Sequence, residues 1–114
     1  MATQLTIVGL GQIGGSIGLA LEAHGDKYYR TGTDIDRNIM SQAKAIGAVD
    51  KITGNLSSAI KSADIIILAL PIDQIKELLE EINEAVKPGT LLIDTSPVKA
   101  NLSEWMMETL PKTC

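Results

Sequence analysis

The chain has 114 residues, enough for one domain with a modest core. Its net charge of −4, with 21% charged residues, leaves no basic surface for nucleic acid or for anionic lipid. Hydrophobic residues reach 45% while aromatics stay at 3%, which describes an aliphatic interior of the kind found in a parallel sheet covered on both faces. The single cysteine, Cys114, excludes an internal disulfide and fits a reducing, cytoplasmic compartment. No secretory leader pattern is visible, and no apolar run reaches the ~18 residues of a membrane span.

Strand-like and helical stretches alternate along the chain with little between them. Residues 4–8 read as a first strand that runs straight into Gly9-x-Gly11-x-x-Gly14. Residues 12–23 read as a helix, with Ile13, Ile17 and Leu21 on one stripe and Gly18 extending the small face of Gly14 toward the sheet. A second strand, 29–33, leads to Asp34. Residues 38–46 form a second helix with Ile39, Ala43 and Ile46 on one stripe and Gly47 as its stop. A short strand at 51–53 precedes a short helix at 57–61 that Ser57 can cap. The nearly pure aliphatic run 65–70 predicts a central strand buried on both faces. Residues 73–86 predict the clearest helix, with Ile75, Leu78, Leu79, Ile82 and Val86 as its apolar stripe. Lys76, Glu77, Glu80, Glu81, Glu84 and Lys87 take the other side and read as a solvated face. Pro88-Gly89 ends that helix, and 91–93 is the fifth strand. Residues 101–110 predict a last helix with Leu102, Trp105 and Met106 pointing one way and Met107 exposed.

This order predicts an α/β fold, a Rossmann-type doubly wound parallel sheet in three layers (α/β/α), with residues 1–114 as one dinucleotide-binding domain. In such a sheet the ligand lies at the carboxyl ends of the strands, so the loops 9–14, 33–36, 69–73 and 94–98 should meet there.

The chemistry of the first loop follows residue by residue. Gly9 allows a sharp turn off the strand. Gly11 removes a side chain so that backbone can approach a pyrophosphate, and Gly14 lets the helix pack closely on the sheet. The first helical turn offers N–H groups and a partial positive charge to a phosphate. Asp34, twenty positions after Gly14, can accept hydrogen bonds from both ribose hydroxyls and would repel a 2′-phosphate, which favours NAD. Arg37 could host that extra phosphate, so NADP stays open. The plain alternative for the glycines is a tight turn without a ligand.

Leu70 and Pro71 follow the fourth strand and can line the cofactor, with Asp73 as a helix cap. Thr95 and Ser96 follow the fifth strand and would bring hydroxyls near the nicotinamide end, with Lys99 adding a charge. No partner supports an acid–base role for any of these, so no catalytic residue is assigned. His24, the only histidine, sits at the far end of the first helix and reads as a surface residue. Metal-ligand spacing is absent.

Five segments together resemble the amino-terminal half of prephenate and arogenate dehydrogenases: GLGQIGGSIGLAL from Gly9, GTDIDR from Gly32, AIGAVD from Ala45, ADIIILALP from Ala63 and KPGTLLIDTSPVK from Lys87. The resemblance implies that Gly9, Gly11, Ile13 and Gly14 hold the pyrophosphate and Asp34 the adenosine ribose; Gln12 and Arg37, beside them in the sequence, are counted with the cofactor-binding residues. It places Leu70 and Pro71 along the cofactor and Thr95 and Ser96 near the nicotinamide. It further implies oxidation of the ring alcohol of prephenate or arogenate with loss of carbon dioxide, NAD or NADP taking the hydride, in a homodimeric enzyme. Two departures stand out. The family commonly carries a serine where this chain has Pro97, and its catalytic histidine lies just beyond the equivalent of Lys112. The expectation is therefore a cofactor-binding domain without the helical dimerisation and substrate half, inactive alone. Another two-domain dehydrogenase, of the β-hydroxyacid dehydrogenase or pyrroline carboxylate reductase type, remains an alternative. So does a non-enzymatic NAD-sensing module.

Overall fold

The computed structural model describes residues 2–95. Within them the chain runs β1 (Thr3–Val8), α1 (Gln12–Glu22), β2 (Tyr28–Thr33), α2 (Arg37–Ala45), β3 (Lys51–Ile52), α3 (Leu56–Lys61), β4 (Ile65–Leu68), α4 (Ile72–Ala85) and β5 (Leu91–Asp94). The strands form one parallel sheet in the order β3-β2-β1-β4-β5. Val8 pairs with both Thr33 and Leu68, so the ends of β1, β2 and β4 lie level. The chain moves outward from β1 to β3 and then returns to β4, so strand order reverses between β1 and β4.

Alternate side chains of each strand face opposite sides of the sheet, which gives two cores. On one side Leu5, Ile7 and Ile67 pack with Leu10, Met40 and Ala43. On the other, Val8, Ile66 and Leu68 pack with Ile60, Ile75, Leu79 and Ile82 of α3 and α4. Thr6 crosses into that second core and satisfies its hydroxyl by donating to the Ala59 carbonyl at 2.7 Å.

Helix α1 meets the rest of the fold most closely through glycine, with Ile17 and Leu21 half-buried against the core beside it. Its buried residues are Gly14, Gly15 and Gly18. A Cβ on Gly14 would sit 1.8 Å from the Gly9 carbonyl oxygen, and one on Gly18 would sit 2.1 Å from that of Ala48. Each interior glycine costs a helix about 1 kcal/mol, so packing rather than propensity holds α1.

Several local expectations change. Ile13 is 55% exposed and Ile46 60% exposed, so neither belongs to a core stripe. Ile13 stands on the helix tip beyond the sheet, and Ile46 is already the C-cap residue of α2. Ala43, expected on that stripe, is buried in α2 together with Met40, and Ile39 packs half-buried beside them. Asn55, not Ser57, caps α3, its side-chain oxygen accepting from the Ser58 N–H. Pro71 is the N-cap residue of α4 without a side-chain bond, and Asp73 lies in the first turn rather than capping it. β4 stops at Leu68, where the chain bends toward the glycine turn. The last helix expected at 101–110, with Leu102, Trp105, Met106 and Met107, lies outside the described residues, as do Pro97, Lys99, Lys112 and Cys114.

The least expected feature is Arg30 in β2, a strand arginine only 4% exposed. Its Nη1 donates to the carbonyls of Gly18 (2.7 Å), Gly47 (3.0 Å) and Ala48 (3.0 Å). Its Nε and Nη2 both reach the Asp50 carboxylate at 3.2 Å, and its backbone N–H donates to Asp50 Oδ2 at 2.9 Å. One guanidinium thus ties α1, the end of α2 and the start of β3 together, and a buried charge is tolerable only with this degree of pairing. Burial alone would raise the Asp50 pKa, but the hydrogen bonds from Arg30 outweigh it and hold the carboxyl below its ordinary range. Asp64 is also lowered, by hydrogen bonds from Lys87 Nζ and the Gln4 N–H.

A carboxyl with a depressed folded-state pKa stabilises the fold above its unfolded pKa and loses that contribution as pH falls through the folded value. Urea midpoints should therefore drop for the wild-type chain below about pH 4. Asp50→Asn should flatten that decline, leaving the part due to Asp64. Arg30→Ala, which strands Asp50 and three carbonyls, should lower stability by about 3 kcal/mol at neutral pH.

Candidate functional site

The residues singled out by the sequence converge where strand order reverses. Gly9 leaves β1 with φ +98, a conformation that only glycine adopts readily. Its N–H donates to the Thr33 carbonyl at 2.9 Å, and the Ala69 N–H donates to the Val8 carbonyl at 2.8 Å. Any Cβ on Gly9 would meet the Ala69 carbonyl and the Leu70 side chain at 2.7 Å. The turn after β1 and the turn after β4 are thus in direct contact, and Leu70 is buried against the glycine turn.

Gly11 is the N-cap residue of α1, and a Cβ there would meet nothing within 4 Å. The turn needs no glycine at this point for protein packing, so the open space above its backbone is available to another molecule. No side chain caps α1, and its first turn holds no acidic residue. By contrast, Asp36 caps α2 and Asn55 caps α3. The N-terminal N–H groups and positive dipole end of α1 can therefore receive an anion. Gln12 and Ile13 are exposed on that same tip.

Asp34 stands at the end of β2 and faces the glycine turn. Its Oδ2 accepts from the Leu10 N–H at 2.8 Å and its Oδ1 from the Asp36 N–H at 2.9 Å. An ionised carboxylate has about four acceptor sites, so two such bonds leave capacity for two ribose hydroxyls. The expectation of a free ribose acceptor therefore needs enlarging, because Asp34 also fixes the loop beside it.

Next to Asp34 lies a cleft of about 330 Å³. Ile35, Arg37 and Met40, around the start of α2, and Leu70, Leu78 and Glu81, from the turn after β4 and from α4, line it. Among the lining residues that the sequence does not single out for the site, such as Ile35, Met40 and Leu78, the charged one is Glu81. It lies three residues beyond Leu78 on the edge of the α4 stripe, and the only signal was that position. Its Oε2 accepts from Ser57 Oγ at 3.2 Å, which links α4 to α3 beside the cleft.

Pro71 is exposed at the start of α4. Thr95 continues from β5, and both its N–H (3.1 Å) and its hydroxyl (2.8 Å) donate to the Leu68 carbonyl. That hydroxyl is thereby spent as a donor and retains only acceptor capacity. Ser96 lies outside the described residues. His24 is exposed at the other end of the sheet, where its carbonyl accepts from the Lys27 N–H and the Lys27 carbonyl in turn accepts from Thr3 at the start of β1. Among the described residues, no helix is long and apolar enough to cross a membrane.

Replacement of Gly14 tests the geometry directly. With the Gly9 oxygen 1.8 Å from a new Cβ, Gly14→Ala should cost about 2 kcal/mol or more in urea unfolding.

Comparison with known proteins sets this geometry in context. A family profile described as "Prephenate dehydrogenase, nucleotide-binding domain" matches residues 17–114. Prephenate dehydrogenase of Bacillus subtilis is 29% identical over 112 residues, covering 97% of this chain and 30% of its own length. Among solved structures, Synechocystis arogenate dehydrogenase superposes with a TM-score of 0.85 at 28% identity, over 94% of this chain and 37% of that one. Prephenate dehydrogenase of A. aeolicus, solved with hydroxyphenyl propionate and NAD+, superposes with a TM-score of 0.89 over 99% of this chain and 40% of that one; at 24% identity this likeness speaks for the fold. The chain spans about a third of the length of the curated relatives it matches, 36% and 30% for two of them.

Proposed function

This chain belongs to the family of prephenate dehydrogenase nucleotide-binding domains, and from that premise we propose that it binds NAD across the carboxyl ends of β1, β2 and β4. The observation that carries the reading is the uncapped tip of α1 under an unobstructed Gly11, with the Asp34 carboxylate alongside. In this reading Gly9 and Gly14 bring strand and helix together so that the backbone of Gly11, Gln12 and Ile13 faces the pyrophosphate. Asp34 takes the adenosine ribose through its remaining acceptor sites. Leu70 forms an apolar wall of the cleft and Pro71 its rim. Thr95, with Ser96 after it, borders the nicotinamide end.

The same reading sets the choice between the two dinucleotides. Asp34 and Glu81 place two carboxylates at the cleft and Arg37 a single cation. A 2′-phosphate would add charge against that surplus, so NAD is preferred and NADP is the weaker ligand.

For an enzyme of the relatives' length that contains this domain we propose a cytoplasmic, homodimeric oxidoreductase of tyrosine biosynthesis acting on prephenate or arogenate. The names of the relatives and the family resemblance support that extension. Bound NAD would supply the hydride acceptor. This chain's own part is to hold the dinucleotide, orient its nicotinamide end toward β5, and exclude the phosphorylated form.

Calorimetric titration of the chain tests the proposal. NAD should bind saturably at one site with a Kd between about 1 μM and 1 mM, and NADP at least about tenfold more weakly. Gly11→Ala should stay within about 1 kcal/mol of wild-type stability while losing at least about tenfold in NAD affinity. Absence of saturable binding at millimolar NAD would refute the reading.

A further inference from the structure

We infer that Glu81 reads the amino group of the adenine ring, making it the residue that selects an adenine dinucleotide over one with a carbonyl at the same ring position. The inference rests on the cofactor reading above. Of the side chains lining the cleft, Thr33, Asp34 and Glu81 carry an acceptor oxygen. Thr33 and Asp34 adjoin each other at the end of β2, and Asp34 already faces the glycine turn. A ribose held there would leave its base to the rest of the cleft, which Ile35 and Leu78 line with apolar side chains. Glu81 lines the same cleft from α4. Arg37, the other charged group on the cleft, only donates.

An adenine amino group is a donor and needs an acceptor. A hypoxanthine carbonyl at that position is an acceptor and would be repelled by a carboxylate. The Ser57 hydroxyl bond to Oε2 steadies the Glu81 side chain without exhausting its acceptor sites. Glu81 therefore does more than solvate the outer face of α4.

The test pairs residue and ligand in a cycle. The wild-type chain, Glu81→Ala and Glu81→Gln are titrated with NAD and with nicotinamide hypoxanthine dinucleotide. Glu81 is exposed, and circular dichroism should show both variants folded. The wild-type chain should prefer NAD by about tenfold. Glu81→Ala should weaken NAD by about tenfold while changing the hypoxanthine analogue by less than about twofold. Glu81→Gln, whose amide can serve either base, should also lose the preference. Equal weakening of both ligands, or a preference that survives in Glu81→Ala, overturns the inference and leaves the cofactor reading intact. Failure of both dinucleotides to bind the wild-type chain overturns the cofactor reading and this inference with it.

Discussion

The hydrogen bond from the Leu10 N–H to the Asp34 carboxylate, 2.8 Å long, is the constraint on which the cleft depends. It joins the turn after β1 to the end of β2. The second carboxylate oxygen takes the Asp36 N–H, so the same side chain also shapes the entry to α2. An acid at this position therefore acts twice. It organises the protein before any ligand arrives, and it retains acceptor sites for a sugar. Preorganisation of this kind reduces the ordering that binding must otherwise drive.

Glycine and arginine supply the complementary constraints. Gly14 brings α1 against the glycine turn and Gly18 brings it against Ala48, at distances no side chain could tolerate. Arg30 then closes the other side of that contact, donating to the same Gly18 and Ala48 carbonyls. The Asp50 that neutralises it belongs to the Gly47–Asp50 segment, GAVD, one of the stretches through which the chain resembles its family. That stretch looked like a helix stop followed by a strand. In the fold it is the receptor for a buried cation, which fixes α1 and hence the tip that faces the cleft.

Much of the fold was legible because it rests on periodicity. Aliphatic runs located β1, β4 and β5, and the Ile75–Leu79–Ile82 stripe located α4. The glycine spacing with Asp34 located the candidate site, since each of those residues answers a local steric or charge requirement. What stayed hidden depends on relations between distant segments. The exposed positions of Ile13 and Ile46 follow from where helices end relative to the sheet, which a stripe pattern does not encode. Asn55 displaced Ser57 as a cap because α3 begins one residue earlier. Nothing local marks Arg30 within the second strand, because its carbonyl partners lie 12, 17 and 18 positions away. Glu81 looked like one charge among several on a solvated face. Only the docking of α4 beside α3 puts it on the cleft.

The central claim is that a dinucleotide settles its phosphates on the tip of α1 beside Asp34. Amide chemical-shift mapping of the isotope-labelled chain during NAD addition tests it most directly. With the phosphates on that tip, the largest shifts fall at Leu10, Gly11, Gln12, Ile13 and Gly14, together with those of Ile35 and Asp36 next to the carboxylate. Shifts centred elsewhere on the sheet, with the glycine turn unmoved at saturating NAD, would contradict it.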